Sequence, residues 1–212
     1  PKMTNFKTIP AHIAPDIFDA LRGANTGGQG RRGLCWEQDF GAPNVAIFLQ
    51  GLPAAGKSSI VSAHFAGWHI IDADAVKASH PDYDPKNPAP LHEWSKRVTA
   101  TMTTDALRAR RAHILDGTGT DGDKLVGRIE RARAFEFMTV LVHVRCRLET
   151  SLHRNANRER VVPPAVLVEK AGQVMAAFEL ARTRADLTMV IHNDDGADIA
   201  HPDVEGFLGG GQ

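Results

Sequence analysis

The residues with the most specific chemistry lie at 50–59, where the chain reads QGLPAAGKSS after the apolar run VAIFL. This stretch contains the pattern G-x-x-x-x-G-K-[ST], from Gly51 to Ser58. In such a loop, glycines let backbone N–H groups turn inward around a phosphate chain, toward the positive dipole end of the next helix. Lys57 would bridge the terminal phosphates and Ser58 would bind Mg²⁺. The alternative is a glycine-rich turn without a ligand. The motif predicts a P-loop for ATP or GTP, formed by Gly51, Ala54, Ala55, Gly56, Lys57, Ser58 and Ser59.

Carboxylates follow two further apolar segments. Asp72 and Asp74 come after WHII at 68–71, and Asp116 and Thr118 come after a brief strand predicted at 113–115. Because ligands of an open parallel sheet bind beyond the carboxyl ends of its strands, we expect these side chains to lie near the P-loop. A carboxylate there can orient and deprotonate an acceptor hydroxyl, and Asp74 is the better candidate for this base. Asp72 can instead cap the following helix, and Asp116 and Thr118 can be turn residues.

Three arginines, Arg154, Arg158 and Arg160, precede VVPP at 161–164. Phosphoryl transfer needs cations around the transferred group. We predict a helix that runs through Arg160, on which the spacing of four residues places Arg154 and Arg158 on one face. In small P-loop kinases this position is a lid, which closes arginines over the phosphates. A solvated helix face is the alternative.

These residues require strands and helices to position them, and short apolar segments do alternate with amphipathic ones. Strands are predicted at 45–49, 68–71, 113–115, 138–144 and 187–191, and helices after the P-loop, at 91–111, at 121–134, from the fourth strand through 160, and at 167–181. This alternation predicts an α/β fold with a five-stranded, mostly parallel sheet and helices on both faces, the P-loop NTPase and kinase fold.

The ends of the chain differ from its middle. Residues 1–33 are predicted to form a short helix and a glycine-rich connector, residues 34–195 the kinase domain, and residues 196–212 a flexible, polar tail.

Composition limits the partners and the compartment. The formal net charge is zero, from 25 Lys+Arg and 25 Asp+Glu, so a long nucleic acid is not an expected partner. Cys35 and Cys146 are expected to be two separate reduced thiols, and the ten histidines show no zinc-ligand spacing. The sequence shows neither a secretion signal nor an apolar run of membrane-spanning length, so we expect a cytoplasmic protein without a membrane partner.

Residues 70–84, which read IIDADAVKASHPDYD, resemble the zeta-toxin family of P-loop kinases. Members of that family carry Asp-x-Asp followed by His-Pro-x-Tyr or His-Pro-x-Phe. LDGTG at 115–119 is similar to the family's Glu-Gly-Thr-Gly element, and SKR at 95–97 stands where a Ser-x-Arg precedes the middle helix. VIHND at 190–194 stands where the family's sheet ends in an Asn. By order of elements, the resemblance spans about residues 40–195.

The resemblance implies a function and a set of residue roles. Zeta-toxin kinases phosphorylate a sugar hydroxyl of UDP-N-acetylglucosamine or a related nucleotide sugar, with ATP and Mg²⁺. The matching positions imply Lys57 and Ser58 at the phosphates and the metal, Asp74 as general base, Asp116 near the metal, Arg97 and Thr118 at the acceptor, and Arg158 and Arg160 around the phosphates. We also assign His80, in the His-Pro-x-Tyr segment, to the acceptor side and Arg154 of the predicted lid to the nucleotide. Family toxins are held inactive by an antitoxin helix bundle, so an antitoxin partner is one implication. Coverage of the site in cis by residues 11–22 is the alternative.

Three departures keep the acceptor open. Thr120 follows Gly119 where the family often has Arg, Asp116 replaces a Glu, and Ala54 stands where many members have Gly. The alternative acceptors are a nucleoside, a nucleotide, an antibiotic or the 5′-hydroxyl of a nucleic acid. A non-catalytic nucleotide-dependent switch is the alternative outside enzymology.

Overall fold

The computed structural model describes residues 44–158 and 161–194, together with the backbone of 203–209. The helix and the glycine connector predicted within residues 1–33 lie outside the described residues. Cys35 and Arg160 also lie outside them.

Strands and helices alternate along the described chain. In order they are β1 (Val45–Gly51), α1 (Lys57–His64), β2 (His69–Asp72), α2 (Ala73–Ala78), a 3-10 turn (Ala89–Leu91), α3 (His92–Arg108), β3 (His113–Asp116), α4 (Gly122–Ala134), β4 (Met138–Arg145), α5 (Leu148–Ala156), α6 (Pro164–Ala181), β5 (Leu187–His192) and β6 (Asp203–Gly209). Among the described residues, no helix combines the length and the apolar character needed to span a bilayer.

The strands form one sheet in the order β2-β3-β1-β4-β5-β6. The pairings from β2 through β5 are all parallel, which confirms the five predicted strands. β6 pairs antiparallel with β5, so the prediction of a frayed tail is wrong for residues 203–209. The composition of the tail is polar and glycine-rich, but the open edge of β5 offers backbone hydrogen bonds that composition does not report.

The core lies on both faces of the sheet because alternate residues of each strand point to opposite sides. In β1, Val45, Ile47 and Leu49 pack into one apolar cluster, whereas Ala46 and Phe48 pack into the other. Burial on both faces explains why the strands read as continuous apolar runs. The carboxyl end of β1, from which the P-loop emerges, is thereby held on both sides.

The helix after β4 is shorter than predicted. It ends at Ala156, so Arg158 lies beyond the helix, and the predicted shared face of Arg154 and Arg158 is wrong. The buried side chain of Asn155 explains this end, because it donates to the Val162 carbonyl at 2.7 Å and accepts from the Val162 N–H at 3.0 Å. This pair of bonds brings the chain back before the two prolines that open α6.

Candidate active site

The P-loop turns between β1 and α1, and two of its positions require glycine. Gly56 has a φ of 92°, in the region that favours glycine, and a Cβ there would lie 2.0 Å from Asn193 Nδ2. A Cβ at Gly51 would lie 2.4 Å from the carbonyl oxygen of Val144. Ala54 has a φ of 61° although it carries a Cβ, which costs roughly 1–2 kcal/mol. The loop backbone is therefore fixed by close contacts with β4 and with the end of β5.

The ammonium of Lys57 folds over the P-loop. Its Nζ donates to the carbonyl oxygens of Gly51 and Leu52, both at 2.9 Å. Burial lowers the pKa of Lys57; the negative charge of Asp116 opposes this shift, and the positive charge of Arg158 adds to it. Lys57 therefore interacts electrostatically with Asp116 at the end of β3 and with Arg158 after α5.

The carboxylates at the ends of β2 and β3 lie side by side. Asp72 is the register partner of Asp116, and Asp116 is in turn the partner of Leu49 in β1. Burial raises the pKa of Asp116 to about 6, with the charge of Lys57 opposing the shift and those of Asp72 and Asp74 adding to it. These acidic groups consequently repel one another beside the P-loop.

Asp74 lies in the first turn of α2 and is held by two neighbours. Its backbone N–H donates to Asp72 Oδ1 at 2.8 Å, so Asp72 does cap α2 as the sequence analysis considered. The Asp74 side chain is 62% exposed and accepts from Lys77 Nζ at 2.8 Å, whereas the Lys77 side chain is 4% exposed. The sequence analysis assigned no role to Lys77.

The predicted acceptor residues are divided between the P-loop and the α2–α3 side. The carbonyl oxygen of Thr118 accepts from Gly51 N–H at 3.4 Å, which places Thr118 against the P-loop. The His80 ring packs edge-on against Trp94 with centroids 4.6 Å apart. Arg97 is exposed on α3. The structure therefore joins Thr118 to the P-loop side, whereas His80 packs on Trp94 of α3, the helix that also carries Arg97.

Gln50 and Asn193 are buried polar residues at the ends of β1 and β5, and the sequence analysis gave neither a role. Gln50 is fully buried, and its Nε2 donates to the carbonyl oxygens of Gly119 and Val174 at 2.7 and 2.9 Å. Asn193 Nδ2 donates to the Ala55 carbonyl at 2.8 Å. A polar side chain at the end of an apolar strand was the available signal for both residues.

The helix α5 also contacts the P-loop and the end of β5. Ser151 Oγ donates to the Pro53 carbonyl at 2.7 Å, and Arg154 Nη1 donates to the Asn193 carbonyl at 2.8 Å. Arg154 therefore joins the candidate lid to the last parallel strand, while Arg158 lies near Lys57.

A cavity of about 430 Å³ lies at the ends of β4 and β5, next to the P-loop. Its lining includes Leu52, Cys146, Arg147, Leu148, His192 and Asp194. The Asp194 carboxylate accepts from Arg147 N–H at 2.8 Å and from Thr150 Oγ1 at 2.9 Å, which ties β5 to the start of α5. The sequence analysis did not predict this cavity.

A parallel sheet with a P-loop after its central strand and carboxylates at two neighbouring strand ends defines the P-loop kinase-like fold. The family model described as AAA domain matches residues 47–181. This match covers more than half of the chain, so the chain belongs to the AAA domain family. No curated protein matches its sequence significantly.

Solved structures share this fold at low sequence identity. A chain of the PezAT chromosomal toxin-antitoxin system of Streptococcus pneumoniae is 16% identical with a TM-score of 0.55, covering 90% of this chain and 80% of its own. The AvrRxo1-ORF1:-ORF2 structure with ATP is 15% identical with a TM-score of 0.59, covering 90% of this chain and 68% of its own. At this identity, the likeness shows a common fold.

Proposed function

We propose that this chain is an ATP- and Mg²⁺-dependent kinase that phosphorylates a hydroxyl of a small acceptor, most concretely a nucleotide sugar such as UDP-N-acetylglucosamine. The observation that carries the proposal is the position of the Asp72 and Asp116 carboxylates, which are register partners at the ends of β2 and β3, beside the P-loop that follows β1. A P-loop alone would serve a switch equally well. Carboxylates and an arginine beside it are what phosphoryl transfer to a hydroxyl needs.

The proposed reaction assigns the proton to Asp74. As a bond forms between the acceptor oxygen and the γ-phosphorus, the bond from that phosphorus to the β–γ bridging oxygen breaks and ADP leaves. The hydroxyl proton passes to the Asp74 carboxylate, which is exposed and held at the start of α2. Lys57 and Arg158 neutralise charge on the phosphates.

Ser58 and Asp116 would hold Mg²⁺ in this proposal. Ser58 is exposed in the first turn of α1, and the mutual repulsion of Asp116 with Asp72 and Asp74 is relieved by a divalent cation, which prefers oxygen ligands. The residues present therefore fit the metal. When bound there, Mg²⁺ would neutralise negative charge on the phosphates of ATP.

The cavity at the ends of β4 and β5 would receive the nucleoside of ATP, because it adjoins Leu52 of the P-loop and is lined by Cys146 and Leu148. The resemblance of residues 70–84 to zeta toxins supports a nucleotide-sugar acceptor. The fold shared with the PezAT chain supports a toxin that an antitoxin protein restrains. A cytosolic location, where ATP and Mg²⁺ are available, is part of this proposal.

The proposal is tested by mass spectrometry of acceptors incubated with the protein, ATP and Mg²⁺. The panel holds UDP-N-acetylglucosamine, a nucleoside, a nucleotide, an aminoglycoside and a 5′-hydroxyl oligonucleotide. Asp74→Asn and Lys57→Ala are run beside the unaltered protein, and Asp105→Asn serves as the matched control because Asp105 is exposed near the far end of α3.

We expect one added phosphoryl group on UDP-N-acetylglucosamine, lost in both site variants and kept in Asp105→Asn. Phosphorylation of another acceptor would keep the kinase and overturn the nucleotide sugar. ADP release with no phosphorylated acceptor, unchanged in Asp74→Asn, would favour the switch. Growth arrest on expression, absent with Lys57→Ala, tests the toxin role.

A further inference from the structure

The ion pair between Asp74 and Lys77 joins an exposed aspartate to a buried lysine. Lys77 Nζ is 2.8 Å from Asp74 Oδ1, yet the lysine side chain is 4% exposed and the aspartate side chain 62%. Another pair of the same spacing, Lys96 with Glu93, is exposed at both ends. A lysine on a six-residue helix could reach solvent with its flexible stem, and burial of its ammonium costs free energy unless it is paired.

The burial of Lys77 has a consequence for Asp74. A solvated ammonium moves freely and contributes little to fixing its partner. A buried ammonium has few alternative positions and attracts a carboxylate more strongly. Lys77 therefore holds one oxygen of Asp74 from the protein side, while the carboxylate itself faces outward.

The other charged groups around Asp74 act in different directions. Asp116 of β3 interacts repulsively with Asp74, and Asp72 receives the Asp74 backbone N–H. His92 of α3 lies near both Asp74 and Lys77; burial lowers the pKa of His92, and the charge of Lys77 lowers it further. The charge of Lys77 therefore acts on both the Asp74 carboxylate and the His92 ring.

We propose that Lys77 is the positioning residue of Asp74: it fixes the carboxylate in place and keeps it ionised, ready to accept the proton of the acceptor hydroxyl. This inference rests on the proposed function for the proton transfer. The ion pair itself does not depend on the identity of the acceptor. Lys77 touches neither acceptor nor phosphate in this role and acts through Asp74 alone.

The first experiment follows Asp74 directly by carbon NMR of the full chain labelled at aspartate carboxyls, with the Asp74 resonance assigned by its loss in Asp74→Asn. We expect Lys77→Met, which keeps an apolar stem but removes the ammonium, to raise the titration midpoint of Asp74 by about 1 pH unit. Lys77→Arg should stay close to the unaltered protein. Lys96→Met is the matched control, and it should leave the Asp74 midpoint unchanged.

The second experiment is a double-mutant cycle on phosphoryl transfer from ATP to UDP-N-acetylglucosamine. We expect Lys77→Met to lower kcat/KM for the acceptor about tenfold and to move the acidic limb of the pH–rate profile upward, with KM for ATP unchanged. In the Asp74→Asn background, the same substitution should have no further effect on the residual rate.

An unchanged Asp74 midpoint in Lys77→Met would overturn the proposal, and so would an equal loss of rate in the Asp74→Asn background. A raised midpoint without any product from UDP-N-acetylglucosamine in the unaltered protein would support the pairing and count against the nucleotide-sugar acceptor. Failure of the inference about Lys77 and failure of the proposed acceptor are therefore distinguishable.

Discussion

Asp72 and Asp116 are register partners at the carboxyl ends of the adjacent parallel strands β2 and β3. Parallel pairing in this register brings two acidic side chains together at the same edge of the sheet as the P-loop. Burial raises the pKa of Asp116 to about 6, and the charge of Asp72 adds to the shift. Electrostatic repulsion between the two carboxylates is therefore unfavourable to the folded protein.

The raised pKa of Asp116 predicts a pH-dependent loss of stability. The folded protein binds this proton more tightly than the unfolded chain, so the contribution to stability is present below the ordinary value of 3.8 and is lost as the pH rises through about 6. Asp116→Asn should therefore raise the free energy of unfolding by about 1–3 kcal/mol at pH 8 and by much less at pH 4. Urea unfolding at the two pH values measures this difference.

The control for this prediction is Asp105→Asn, which should change stability little at either pH because Asp105 is exposed. An Asp116→Asn variant that is less stable than the unaltered protein at pH 8 would contradict the prediction. It would mean that the attraction between Lys57 and Asp116 outweighs the cost of burial.

Substitution by alanine is predicted to change the free energy of unfolding in opposite directions at Gly56 and Gly127. A Cβ at Gly56 would lie 2.0 Å from Asn193 Nδ2, whereas one at Gly127, in the exposed face of α4, meets nothing within 4 Å. We expect Gly56→Ala to lower the free energy of unfolding by about 2 kcal/mol or more and to abolish ATP binding. Gly127→Ala should raise it by up to ~1 kcal/mol. Thermal unfolding and calorimetric ATP titration measure both, and equal stability of the two variants would refute the clash.

Local sequence signals predicted the β1–P-loop–α1 unit and the parallel sheet. Motif spacing determines which backbone amides surround a phosphate, and apolar runs mark strands that are buried on both faces. The ends of elements were harder to predict. The end of α5 at Ala156 depends on the bonds between Asn155 and Val162, and β6 depends on the open edge of β5. Both are tertiary contacts that no local window contains.

In the candidate site, too, local sequence predicted some features, whereas others depend on tertiary contacts. Strand ends predicted that Asp72 and Asp116 would lie together, because parallel strands end at one edge of a sheet. The burial of Lys77 could not be predicted, since a lysine on a short helix usually reaches solvent. The helix that carries Lys77 packs against α3, which is a tertiary contact. The support of the P-loop by Asn193 likewise joins residues far apart in the sequence.

The cavity beside the P-loop predicts that ATP protects Cys146 from alkylation. Cys146 is partly exposed and lines the cavity together with Leu52, where the nucleoside would lie. In a Cys35→Ser background, saturating ATP with Mg²⁺ should slow the reaction of Cys146 with iodoacetamide, as followed by peptide mass spectrometry. Protection should be lost in Lys57→Ala, and an alkylation rate insensitive to ATP would place the nucleoside elsewhere.

Substitution of Asn193, which bonds to Ala55 of the P-loop, is predicted to lower the affinity for ATP. Its buried side chain donates to the Ala55 carbonyl, so Asn193→Ala leaves that oxygen without its donor and lowers the free energy of unfolding by about 1–3 kcal/mol. Because the loop then loses a support, KM for ATP should rise about tenfold, the equivalent of 1.4 kcal/mol. The matched control is Asn157→Ala, whose exposed amide donates to the His153 carbonyl at 3.0 Å and should leave KM unchanged. Steady-state kinetics with varied ATP measures both variants, and an equal rise in KM in both would show that general loosening around α5, and not the bond from Asn193 to Ala55, governs ATP affinity.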